Sequence, residues 1–100
     1  MLLYFHPMQI TAAFVVFMVE VLIEDKGKRW RGTLREESGR GYVHCFELTV
    51  HGKVLGDLVK KQRSYPWQFI IRNGTREDLA EQLGAIADQY LPLKPVIKLR

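Results

Sequence analysis

Charge is missing from the start of this chain. Residues 1–19, MLLYFHPMQITAAFVVFMV, hold no Asp, Glu, Lys or Arg. A secretory signal wants a basic leader and a small-residue cleavage site, and neither is clear here. A membrane-crossing helix needs about 20 apolar residues in a row. His6, Pro7 and Gln9 interrupt this stretch and Glu20 follows it, so a membrane role is not expected. Val15, Val16, Val19, Val21 and Ile23 are β-branched, and Phe14 and Phe17 also suit a pleated surface. The expectation is a first strand over residues 8–24, with residues 1–7 dangling. So apolar a strand at a sheet edge invites aggregation unless something covers it. The expected cover is the C-terminal tail or another copy of the chain, which makes the protein its own partner, as a homodimer or higher.

Cysteine is nearly absent. The single Cys45 excludes a disulfide within the chain, and no CxxC or HxxxH spacing offers a metal its ligands. No metal and no cofactor are expected, and the cysteine usage points to a reducing, cytoplasmic setting. Also missing are a Walker A loop, a GxGxxG, a GxSxG and an HExxH. Gly39-Arg40-Gly41 and Gly52-Lys53 are turn chemistry rather than phosphate loops. These absences leave no enzyme signature to argue from, and a catalytic role is not expected.

What is present is enough for one globular domain spanning residues 1–100. One hundred residues can bury a single core without staples, and 47% hydrophobic with 26% charged residues is ordinary for a folded protein. The net charge of +4 favours anionic partners slightly.

The central stretch is Gly41 to Lys60, GYVHCFELTVHGKVLGDLVK. His51-Gly52 reads as a two-residue type I′ turn, because Gly52 tolerates the positive φ such a turn demands. An unbroken ladder from that turn sets Leu48 against Leu55, Phe46 against Asp57 and His44 against Val59. Lys26-Gly27 reads as a second such turn, setting Ile23 against Trp30, Val21 against Gly32 and Val19 against Leu34. Glu24 then faces Arg29, so opposite charges meet on one side while apolar residues meet on the other. Trp67 to Arg72 reads as a further strand, with Trp67, Phe69 and Ile71 inward.

Asn73-Gly74 leads into a helix over 75–91. Thr75 is the expected N-cap, with Asp78 three residues on. Leu79, Leu83, Ile86 and Tyr90 form its apolar stripe. Gly84 costs the helix about 1 kcal/mol relative to Ala, a cost that close approach to a bulky residue such as a tryptophan would offset. Pro92 stops the helix, and Val96 to Leu99 can add a short edge strand. The fold class is therefore α+β: an antiparallel meander of four to five strands with the C-terminal helix across one face. The expected core is Val19, Val21, Ile23, Trp30, Leu34, Phe46, Leu48, Leu55, Trp67, Phe69, Leu79, Leu83 and Ile86.

Two constellations carry candidate chemistry. In the unbroken register His44 and Asp57 share a face within side-chain reach, and such a pair can orient an imidazole for acid–base work. They are the only candidate catalytic residues, with a hairpin-end polar pair, or a bulge at Gly56 turning Asp57 to water, as the plainer reading. Cys45 neighbours His44 along the strand and so points to the other face. The second constellation is basic: Arg29, Arg31 and Arg35 from one strand, with Lys60, Lys61 and Arg63 near a loop. A basic sheet face with aromatics can hold single-stranded nucleic acid, although Trp30 and Trp67 point inward and acids interleave the arginines. The function expected first is a small non-catalytic interaction module that self-associates through its apolar N-terminal segment. Nucleic-acid binding comes second, and a small enzyme or ligand binder around His44 and Asp57 third.

Overall fold

Two matched reversals bend the chain. Lys26 and Gly27 sit at φ 51° and 78°, and His51 and Gly52 at φ 51° and 76°. Both are paired left-handed positions, the backbone of a type I′ turn. A computed structural model describes residues 18–37 and 40–93. In it the first turn joins β1 (Met18–Asp25) to β2 (Lys28–Glu37), and the second joins β3 (His44–Val50) to β4 (Lys53–Lys60). β5 (Gln68–Ile71) and β6 (Gly74–Thr75) follow, then helix α1 (Glu77–Tyr90) and a single 3-10 turn, Leu91–Leu93.

The six strands lie in chain order in one sheet, every neighbour antiparallel. This is the expected meander with one more strand. The extra one is β6, two residues long, where the sequence suggested that Asn73-Gly74 led straight into the helix. Its pairing of Ile70 with Thr75 and Ile71 with Gly74 keeps the chain extended past Thr75. The helix therefore starts at Glu77, and its N-cap is Arg76, which makes no side-chain capping bond. The C-terminal end matches the proline argument: α1 stops at Tyr90, two residues before Pro92. The expected strand segment before Met18 and the expected edge strand at Val96 to Leu99 lie outside the described residues.

The first hairpin pairs as its turn dictates: Ile23 with Trp30, Val21 with Gly32, Val19 with Leu34, Glu24 with Arg29. The second does not. Its ladder runs Val50–Lys53 and Thr49–Val54, then slips by one residue, so that Leu48 faces Gly56, Phe46 faces Leu58 and His44 faces Lys60. Leu55 is the extra residue of a β-bulge. Because side chains alternate, one slipped residue exchanges the faces of everything beyond it. Leu58 joins Phe46 on the helix side, and Asp57 and Val59 join Cys45 and Glu47 on the other.

Gly56 shows why the slip is tolerated. A Cβ there would lie 2.4 Å from the Ile70 carbonyl oxygen and 2.9 Å from Phe69 Cζ. The next strand's backbone fills the space a side chain would take. Gly32 leaves room for Leu48 and Val50 of the next strand, whose side chains a Cβ would meet at 3.0 and 3.1 Å, with the Thr49 carbonyl oxygen at 3.2 Å.

The core lies between α1 and one sheet face. Val19, Val21, Ile23, Leu34, Phe46, Leu48, Val50, Leu58 and Phe69 meet Leu79, Ala80, Leu83, Ile86, Ala87 and Tyr90. Trp30, Leu55 and Trp67, expected inside, are only partly buried and pack against this cluster. Leu58 is fully buried, and the unbroken register had put it on the opposite face. Truncating a residue as enclosed as Leu83 costs about 2–5 kcal/mol.

Two polar fastenings bind the start of α1 to β1, the opposite edge of the sheet from β6. The Gln82 side-chain amide accepts from Glu24 N–H at 2.9 Å and donates to the Glu24 carbonyl at 2.6 Å. It covers both backbone groups of one edge residue, which blunts that end of the edge strand. Arg76 donates to Asp25 at 2.8 Å and to both oxygens of Asp78 at 3.0 and 2.7 Å. Asp25 is almost fully buried, and a buried carboxylate requires such a partner. The sheet thus curls until β1 and β5 both reach one helix.

Candidate functional site

Trp67 stands just before β5 and organises the open end of the sheet. The slipped ladder brings Lys60 opposite His44, and both side chains meet this indole. The His44 ring stacks on it with centroids 5.9 Å apart and planes 25° from parallel. Lys60 Nζ lies 5.2 Å from its centroid, a cation over a π face. Phe46 packs behind, tilted, at 6.1 Å. On the helix side, a Cβ on Gly84 would lie 2.6 Å from Trp67 Cδ1 and 2.8 Å from Cγ. The helix glycine is the space the tryptophan needs, as the sequence suggested. One turn further along, Asp88 accepts the indole N–H at 3.0 Å.

Beside this cluster, between β5 and α1, runs an open groove of about 680 Å³. Its sheet wall is Pro66, Trp67, Gln68, Phe69 and Thr75, with Lys60 at one end. Its helix wall exists because Ala80, Gly84 and Ala85 have little or no side chain, and Glu77, Glu81 and Asp88 stand along that wall. Arg76 closes the other end. Its guanidinium is held charged by the hydrogen bonds to Asp78 and Asp25, which raise its pKa further, and the same arginine holds the Asp78 carboxyl below the usual range.

The sequence-derived candidates fall elsewhere. His44 and Asp57 point to opposite faces, separated by the bulge at Leu55. Asp57 sits across from Glu47 and takes a 3.5 Å contact from Arg40 Nη2. The bulge falls at Leu55 rather than Gly56 and leaves Asp57 half-buried beside Arg40 rather than turned to water, with no His–Asp pair. Cys45 is buried beside Val59. Burial first, then the nearby Asp57, pushes its thiol pKa up, which keeps it protonated and poorly nucleophilic.

The basic set divides into three. Arg29, Arg31 and Arg35 are exposed on the face away from the helix, where Arg29 faces Glu24 and Arg35 faces Glu47. Lys60 is on the helix face, at Trp67. Lys61 and Arg63 lie in the exposed loop before Pro66, with Tyr65 46% exposed beside them. Among the described residues, no group of three or more His, Cys, Asp or Glu is placed to hold a metal ion. Among the same residues, no helix is long and apolar enough to cross a membrane.

Part of the groove's signal is in the sequence: Glu77, Glu81, Gly84 and Asp88 fall on one stripe at helical spacing, opposite the apolar stripe of Leu79, Leu83 and Ile86. The opposing wall depends on the two-residue β6, which carries no sequence signal of its own. No family model, no curated protein and no solved structure matches this chain.

Proposed function

We propose that this chain is a small non-catalytic interaction module whose binding surface is the groove between β5 and α1, and that it self-associates through residues 1–17. The groove carries the first half of this reading. It is concave, floored by Trp67 and Phe69 and open to solvent, the form that binding sites commonly take. Its aromatic ledge is fixed from three sides by His44, Gly84 and Asp88, so little order is lost when a ligand settles on it. The residues that could have supplied chemistry are engaged in packing: His44 on Trp67, Asp57 with Arg40, Cys45 in the interior.

The second half rests on the sequence. Seventeen residues without a charged side chain precede β1, and a small domain has few ways to hide them. Sedimentation velocity on the full chain over a hundredfold concentration range tests self-association, and a single monomer boundary throughout ends it. Heteronuclear NMR against a peptide library tests the groove. Binding is expected to shift the Trp67 indole and Gly84 signals together; shifts confined to other surfaces remove the groove from the reading.

The exposed Tyr65 beside Lys61 and Arg63 favours a second reading, in which this loop stacks and neutralises single-stranded nucleic acid. Arg29, Arg31 and Arg35 would add a separate basic row. Affinity for single-stranded DNA should then fall steeply with salt, and the absence of binding at low salt closes this reading.

A further inference from the structure

We propose that the groove takes an extended segment of a partner protein, apolar along one side and carrying lysine or arginine along the other. The proposal rests on reading the groove as a binding surface and names what fills it. The argument begins with charge. The chain as a whole is basic, at +4, but the helix wall of the groove is acidic. Glu77, Glu81 and Asp88 lie at i, i+4 and i+11 on α1, a spacing that keeps all three within about 40° of one line along the helix. Glu77 and Glu81 are exposed, and among the described residues neither is in an ion pair.

The two cations at the groove do not neutralise that wall. Arg76 is held by Asp25 and Asp78, and Lys60 lies over Trp67. An incoming lysine or arginine therefore meets carboxylates that the domain itself leaves unmatched. Between them, the half-buried Trp67 and the exposed Pro66 and Ala85 suit aliphatic side chains.

Two unlike walls select an extended segment over a helix: Trp67 stands on the sheet side of the groove, and Glu77 and Glu81 stand on the helix side. The lengths agree. From Glu77 to Asp88 the helix rises about 16 Å, the reach of about five extended residues. Alternation along such a strand puts its charged side chains on one side and its apolar ones on the other.

The test uses the full chain and three synthetic six-residue peptides with blocked ends: alternating lysine and valine, the same with serine for lysine, and the same with glutamate for lysine. NMR titration should show the lysine peptide moving the Trp67 indole and Gly84 signals, with the serine peptide about tenfold weaker and the glutamate peptide weaker still. Reversing the lip with Glu77→Lys plus Glu81→Lys should cost the lysine peptide at least about tenfold. Ala85→Phe fills the groove from an exposed position, so the domain keeps its fold and loses the peptide. Equal binding of the lysine and serine peptides at Trp67 and Gly84 overturns the basic partner while leaving the groove as a binding surface. If no peptide of the three moves those signals, or Ala85→Phe leaves lysine-peptide binding intact, the groove itself is overturned and the partner with it.

Discussion

The two hairpins start from the same turn and end differently. Lys26-Gly27 and His51-Gly52 have nearly identical backbone angles, yet the first ladder runs unbroken through eight pairs while the second slips at Leu55. A type I′ turn fixes the pairs next to it. Further along, the register is decided by what each side chain meets. In β1 and β2 the unbroken pattern already sends Val19, Val21, Ile23 and Leu34 to the helix. In β4 an unbroken pattern would have sent Asp57 into the core and Leu58 to the far face. The extra residue reverses that, and Gly56 makes it sterically possible because β5 lies against the position where a side chain would be.

Deletions break this comparison most sharply. Removing Leu22 from β1 turns Val19 and Val21 away from the core. At about 1.5–3 kcal/mol for each buried valine, the pair is a large share of a total stability of about 5–15 kcal/mol, and the melt followed by circular dichroism should move sharply to lower temperature. Removing Leu55 should do far less. It straightens the ladder with Leu48 still facing Gly56 and Phe46 still facing Leu58, and costs about 1–2 kcal/mol for the lost half-buried side chain. A Leu55 deletion that unfolds the chain would show that the bulge does more than correct the register.

Glycine substitutions sharpen the contrast. Gly56→Ala places a methyl against the Ile70 carbonyl, which cannot move without its strand, and should cost about 3 kcal/mol in urea unfolding. Gly32→Ala meets Leu48 Cδ1, Val50 Cγ2 and the Thr49 carbonyl oxygen at 3.0–3.2 Å, looser than the 2.4 Å at Gly56, and should cost less, about 1 kcal/mol. The turn glycines should show no contrast. Gly27→Ala and Gly52→Ala each force a left-handed φ on alanine with open space around it, and each should cost about 1 kcal/mol. A marked difference between them would place the origin of the slip in the turn.

An effect confined to high pH lies at the seam between the hairpins. Tyr90 packs edge-on against Phe46; burial, and secondarily Glu36, push its pKa up from 10.0 to about 12. The folded state therefore holds this proton more tightly than the unfolded chain does. Stability is unaffected below pH 10 and falls as pH climbs from there to about 12. Tyr90→Phe should lose that part of the alkaline slope.

The legible parts of this fold were those where local pattern and tertiary packing agree. Alternation from Val19 to Ile23, the complementary charges of Glu24 and Arg29, and the 3.6-residue spacing of Leu79, Leu83 and Ile86 each point one way. Gly84 was legible for the same reason, since a costly glycine inside a good helix implies a close neighbour, and that neighbour is Trp67. The slip at Leu55 was not legible, because Val54-Leu55-Gly56 alternates no worse with a bulge than without one. The decision is taken by Phe69 and Ile70, in a strand not yet formed when the hairpin is read alone. The candidate site failed with it: His44 and Asp57 belonged together only in the unslipped register. Thr75 looked like a helix cap because local chemistry favours it there, while the sheet claims it for β6.

The bonds from Gln82 to Glu24 and from Arg76 to Asp25 join residues 58 and 51 positions apart. They fasten the first strand to a helix that follows the last strand along the chain. Every hairpin can close early, using neighbours along the chain, but this clasp must wait until the whole ribbon has curled. Protection from hydrogen exchange at the Glu24 amide therefore reports completion of the domain, and loosening the first half of α1 frees the β1 border of the sheet.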